Sequence, residues 1–179
     1  MLTQHAKQGI EYLFIRSAKA NLVINPDDRC DVVQAMESDV RKSPEKNILV
    51  LTISSFLFRL LTIFHINESA SAISYFGMNA SAENFADIFA EHGNMCCGAI
   101  NRELADYFPY LGMSTPYMLS SECVSFLREM NPEFLCDYII SINESIRVRA
   151  TLCMKVYGTV DFSVNTSAVA APTGELELF

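Results

Sequence analysis

The sequence has no tryptophan, and its 179 residues include only seven glycines and six prolines. That shortage excludes collagen-like and low-complexity chains, and an aromatic content of 11% excludes a disordered one. Positive charge is scarce as well: 13 Lys and Arg stand against 21 Asp and Glu, a net charge of −8. Residues 1–59 carry eight cations against seven anions, residues 60–179 carry five against 14, and no Lys or Arg lies between Arg59 and Arg102. Nucleic acids and anionic membrane surfaces are bound through basic stripes that displace counterions. The sequence has no such stripe, so neither partner is expected.

An uninterrupted apolar run long enough to span a bilayer is also missing. The nearest candidate, ILVLTISSFLFRLLTIFHI at 48–66, is broken by Arg59 and seeded with Thr52, Ser54, Ser55, Thr62 and His65. A spanning helix needs ~20 apolar residues without a central charge, so this stretch reads as a pair of buried strands. The opening MLTQHAKQGIEY has no apolar core of the export-signal kind, which makes a soluble, cytoplasmic protein the expectation. There is no CxxC among the six cysteines (Cys30, Cys96, Cys97, Cys123, Cys136 and Cys153), which argues against a zinc ribbon or a thioredoxin-like site. They are expected to be buried, reduced thiols, and the four N-x-S/T sequons carry no weight without export.

What is present is a core. Half of the residues are hydrophobic, and a chain of this length is expected to form one domain that buries ~70% of its unfolded surface. Over residues 4–20, Ile10, Leu13, Phe14 and Ala18 fall on one face of a helix. Asn25-Pro26, followed by Asp27, Asp28 and Asp31, predicts a second helix with Val32, Val33, Met36 and Val40 inside, ended at Ser43-Pro44. Residues 47–54 and 56–66 read as consecutive strands, 68–78 as a short helix, and 82–108 as a long helix stopped by Pro109. One or two helical turns fit 121–130. FLCDYIISI and SIRVRATLCMKVYG read as a hairpin split at Asn143-Glu144, Val160–Val164 as a third strand, and the tail as loose. Helices and strands come in blocks, which predicts an α+β fold with a mainly antiparallel sheet.

The long helix is the informative element. At about 100° per residue, Phe85, Phe89, Cys96, Ile100, Leu104 and Tyr107 gather on one side as a core stripe with Cys97 at its edge. The opposite side carries Asp87, Glu91, Asn94, Gly98, Asn101 and Ala105. Asp87 and Glu91 are like charges at i, i+4, and Glu91 has no cation at any i±3 or i±4 position. Asn94 is a poor mid-helix residue and Gly98 costs ~1 kcal/mol relative to Ala, while leaving room for a partner's backbone. This face gives up helix stability for something.

These residues carry a resemblance. D-I-F-A-E-H-G-N, Asp87 to Asn94, followed by Pro116 after 21 intervening residues, resembles the signature of the CheC/CheX-type chemotaxis phosphatases: an Asp or Ser, a Glu and an Asn on a long helix, then a Pro. The element order is similar to the CheX form with a single active site, over roughly residues 26–165. Residues 1–24 would be an extra N-terminal helix and 166–179 a loose tail. The resemblance implies a CheC-like fold and hydrolysis of the aspartyl-phosphate of a CheY-like response regulator. It gives Asn94 the task of orienting the attacking water and Glu91 that of pairing with the regulator's active-site Lys. Asp87 would aid docking, Gly98 and Asn101 would lie in the contact, and Pro116 would set the loop after the helix. No cofactor would belong to this chain, since Mg²⁺ would be held by the regulator. The alternative is a binding module of the same fold that docks without turnover. A homodimer is expected from the resemblance, and the apolar residues Ile139, Ile140, Ile146, Val148, Leu152 and Val156 could complete a shared sheet.

Competing sites are weaker. His92 and Cys96, at i, i+4, could ligate a metal but lack further ligands, and the two adjacent thiols point to the core, where a thiolate is disfavoured. His65 reads as a satisfied core or edge histidine.

Overall fold

The structure, a computed structural model, describes residues 1–36, 45–77 and 85–164. Every strand pairing in its one sheet is antiparallel, in the order β1-β6-β7-β3-β2, with β4 and β5 sharing the outer edge of β2. The strands are β1 Cys30–Gln34, β2 Asn47–Ser54, β3 Phe58–His65, β4 Gly112–Met113, β5 Tyr117–Ser120, β6 Phe134–Ile142 and β7 Ile146–Val156. The helices are α1 Gln4–Asn21, α2 Ala70–Gly77 and α3 Phe85–Leu104, and a 3-10 helix spans Ser121–Met130. The α+β architecture expected from the sequence is the one observed.

The two central hairpins follow local chemistry. β2 and β3 pair from Ile48–His65 to Ser54–Arg59, where branched and aromatic side chains favour the pleat. β6 turns into β7 through Asn143, Glu144 and Ser145; Asn143 and Glu144 are both at positive φ (49° and 59°), and the Ser145 amide donates back to the Ile142 carbonyl (3.3 Å). Asn143 tolerates that backbone and locks the turn: its Nδ2 donates to Asp28 Oδ1 (2.6 Å) and its Oδ1 accepts from the Arg29 amide (3.0 Å). Tyr75 donates to the other Asp28 oxygen at 2.6 Å.

Several expectations are corrected. Residues 30–34 form strand β1, not the start of a helix, because the outer edge of β6 is completed by Cys30–Gln34 in register with Ile142–Tyr138. The Asp and Pro signals are real but serve a turn, and a ladder of distant hydrogen bonds overrides the local helix preference. Val33 and Met36, expected on the buried side of that helix, are exposed, and its remainder from residue 37, the start of the long helix and the tail lie outside the described residues. The predicted third strand reduces to one parallel bridge, Leu2 to Val160, whose backbone bonds to Met1 and Thr3. Tyr107 is exposed rather than in the core stripe, since α3 gives way to turns after Leu104 and the ring stacks on Phe162 at 4.9 Å. Finally, the apolar residues of β6 and β7 are buried inside this chain, and both strands are flanked on each side, so they offer nothing to a shared sheet. Cys123 is exposed and Cys30 half-buried, whereas the other four thiols are buried as expected.

The sheet has two differently covered faces. α1 and α3 lie together over one, and the core there includes Ile10, Leu13, Phe14 and Ala18 of α1 with Leu49, Leu51, Phe64 and Tyr138 of the sheet. The N-terminal helix is therefore part of the same core as the strands, with the Phe14 ring 5.0 Å from that of Tyr138. Gly93 seats α3 on the sheet, since a Cβ there would lie 2.5 Å from Leu49 Cδ2. The 3-10 helix covers the middle of the other face, setting Leu127 and Val124 against Ile48, Val50 and Ile63.

Candidate functional site

The burial of α3 decides which residues can act. Phe85, Phe89, Gly93, Cys96, Cys97, Ile100 and Leu104 are buried. One flank is held by α1: Ser17 Oγ donates to the Cys96 carbonyl (2.6 Å), His92 Nδ1 contacts the Asn21 carbonyl (3.1 Å), and Arg16 pairs with Glu103. The stripe of Asp87, Glu91, Asn94, Gly98 and Asn101 remains turned away from the sheet. Asp87 and Glu91 are exposed and the other three are half-buried.

None of Asp87, Glu91 and Asn94 makes a side-chain hydrogen bond or ion pair among the described residues. Asn101 Oδ1 is buried with no hydrogen-bond donor among the described residues. A Cβ on Gly98 would meet nothing closer than Arg102 Nη1 at 3.7 Å, so the fold itself does not demand glycine there, in contrast to Gly93. The face thus holds two carboxylates, a free amide and a flat backbone patch, all unspent on the fold. An amide can donate and accept at once, and a carboxylate without a partner attracts a cation.

Pro116 lies between β4 and β5, two residues after Ser114, whose amide donates to the Thr52 carbonyl (2.9 Å) and whose Oγ accepts from the Thr52 amide (3.0 Å). Lacking an N–H, Pro116 divides this edge into two short strands. His92 and Cys96 do not form a reactive pair: the histidine ring packs on Phe76 (5.4 Å) and burial pushes the Cys96 thiol up to about 12. Among the described residues no group of three His, Cys, Asp or Glu is placed to hold a metal, and no helix is long and apolar enough to cross a membrane.

The sequence reading missed a buried polar chain on the far side of the sheet. Arg149 Nη2 donates to His65 Nδ1 (2.5 Å), His65 Nε2 donates to Thr151 Oγ1 (2.9 Å), and Thr151 donates to Asp137 Oδ1 (2.5 Å). The tautomer follows from Arg149, which can only donate. Burial and the Arg149 charge hold the His65 pKa down at about 3. His65 sits opposite Arg149 and Asp137 opposite Thr151, two pairs that only the strand register brings together.

Neither a family model nor a curated protein sequence matches the chain. Solved structures do. A CheC-like superfamily protein from Shewanella aligns over 86% of this chain and 99% of its own, with a TM-score of 0.51 and 10% identity. CheX in the CheX-CheY-BeF3-Mg²⁺ complex from Borrelia burgdorferi aligns over 82% of this chain and 97% of its own (TM-score 0.54, 10% identity). The FliM middle domain from Vibrio alginolyticus aligns over 82% and 91% (TM-score 0.51, 7% identity). The chain has the CheC-like fold, as the resemblance implied.

Proposed function

We propose that this chain is a phosphatase acting on the aspartyl-phosphate of a CheY-like response regulator. The observation that carries the reading is the pair Glu91 and Asn94: one helical turn apart on the face of α3 turned from the sheet, with no side-chain hydrogen bond or ion pair among the described residues. The fold adds support, because a CheX of the same fold forms a complex with CheY, BeF3 and Mg²⁺, in which BeF3 stands in for a phosphoryl group.

On this reading α3 lies across the regulator's phosphorylation site. Glu91 accepts from the regulator's lysine, while Asp87 and Asn101 contribute to docking and Gly98 allows close backbone approach. The Asn94 amide accepts a hydrogen bond from a water and holds it in line with the P–O bond to the aspartyl carboxylate. Attack forms a new P–O bond, the aspartate leaves as carboxylate, and the water's protons pass to phosphate and solvent. Mg²⁺ belongs to the regulator and neutralises the phosphoryl oxygens there. Such chemistry needs positioning and charge neutralisation rather than a nucleophile from this chain.

Phosphate release from a phosphorylated CheY-like regulator, with and without this chain, is the direct test. Glu91→Lys reverses the charge at the docking contact and is expected to weaken binding of the regulator by at least ~10-fold in calorimetry. Unchanged affinity would remove Glu91 from the interface. The second reading, a binding module without turnover, rests on the FliM middle domain, which shows that the fold is not confined to CheX proteins. Binding of the regulator without faster phosphate release would establish it. We further propose a cytoplasmic homodimer. Light scattering at micromolar concentration should give twice the 20.0 kDa chain mass, and a monomer mass would refute the dimer.

A further inference from the structure

On the sheet face opposite α3, a groove of about 370 Å³ opens between β2, β3, the β4–β5 edge and the end of the 3-10 helix. Thr52 stands opposite Leu61 and Ser54 opposite Arg59 in the β2–β3 ladder, so all four side chains rise from this one face. Tyr117, opposite Val50, joins them from β5, and Met130 closes the groove from the 3-10 helix. Tyr117 is 40% exposed and Met130 36% exposed, so apolar surface is left open around the cleft.

The polar groups here are uncommitted. The Arg59 guanidinium makes no ion pair or hydrogen bond among the described residues, and neither the Thr52 nor the Ser54 hydroxyl makes a hydrogen bond. Across the ladder Arg59 faces Lys155, a like-charge pair on neighbouring strands, which is unfavourable. Lys155 is neutralised by Glu133 (3.4 Å) and donates to the Asn131 carbonyl (2.7 Å), whereas no ion pair neutralises Arg59 among the described residues. The positive spot lies in a chain with a net charge of −8. A single cation flanked by two hydroxyl donors, beside an aromatic ring and two aliphatic side chains, matches one type of ligand: an anionic head on an apolar body.

We infer that this groove binds a small amphipathic acid, its carboxylate, sulfonate or phosphate held by Arg59 with Ser54 and Thr52, and its apolar part resting on Leu61, Tyr117 and Met130. The site is separate from the α3 face, and the inference stands whether or not the chain hydrolyses a phosphorylated regulator.

The test uses two fluorescent probes of nearly the same shape, anilinonaphthalene sulfonate and the uncharged N-phenyl-naphthylamine, titrated against the full chain. The sulfonate is expected to bind saturably at one site per chain, and at least ~10-fold more tightly than the neutral probe. Arg59→Gln should cost the sulfonate about 10-fold and leave the neutral probe unchanged, while Tyr117→Ala should weaken both. Arg59 and Tyr117 are exposed, and circular dichroism melts will show that both variants fold. Asn94→Ala, on the other face, should change neither. Equal affinity for the two probes, undiminished sulfonate binding by Arg59→Gln, or no saturable binding by wild type would each overturn the inference.

Discussion

Asn94→Ala is expected to lower accelerated phosphate release from a CheY-like regulator by about 100-fold while leaving the fold intact. The size follows from the task. If Asn94 holds the attacking water in line, its loss removes both the hydrogen bond and the alignment, and misplacing a reactant by an ångström already costs about two orders of magnitude. The specificity of the effect follows from the structure: the Asn94 side chain has no partner among the described residues, so alanine breaks no hydrogen bond or ion pair among them. Alanine also favours the helix over asparagine by roughly half a kcal/mol, so the melting temperature should hold or rise slightly. Affinity for the regulator should change less than the rate, because Glu91, Asp87 and Asn101 remain. A rate equal to wild type would show that Asn94 does not act on water. A fall in stability would show that it supports the helix instead.

The second large effect concerns pH. His65 is fully buried, and its folded pKa of about 3 lies below the ordinary value of 6.5. As pH falls below 6.5 the unfolded chain takes up the proton and the folded chain does not, so stability declines toward pH 3 and is fully present only above 6.5. The slope is about 1.4 kcal/mol per pH unit. Protonation within the fold would set two cations, His65 and Arg149, against each other at a hydrogen bond of 2.5 Å. The charged groups near this contact are Arg149 itself, Asp137 through Thr151, and Glu45, which interacts with Arg149. His65→Gln can accept from Arg149 and donate to Thr151 without titrating. It should match wild type in urea unfolding at pH 7 and exceed it by about 2–3 kcal/mol at pH 4.5. If both proteins lose stability in parallel between these two pH values, His65 is not the cause.

Much of the α3 site can be read locally. One helix contributes Asp87, Glu91, Asn94, Gly98 and Asn101, and helical periodicity alone puts them on one side and Phe85, Phe89, Ile100 and Leu104 on the other. The roles of the two glycines were not legible. Gly98 stood out in the sequence because a mid-helix glycine costs stability, yet Gly93 is the one whose missing side chain admits Leu49, a residue 44 positions earlier in the chain. Periodicity shows which side of a helix is buried but not how closely the opposing surface approaches.

The same division runs through the whole protein. Sequence by itself determined α1, the β2–β3 and β6–β7 hairpins, the short helix before α3, and the polar face of α3, since each depends on neighbours within a few residues or one tight turn. Only the tertiary structure decided that residues 30–34 extend as a strand, because β6 needed a partner on its outer edge. It alone split the far edge at Pro116 into β4 and β5. It also joined Arg149, His65, Thr151 and Asp137 into one hydrogen-bonded chain and placed Arg59 beside Lys155 above an apolar groove. Those arrangements are set by strand register, which brings together residues far apart in sequence through backbone hydrogen bonds and side-chain packing, and no local pattern encodes which distant strand will lie alongside.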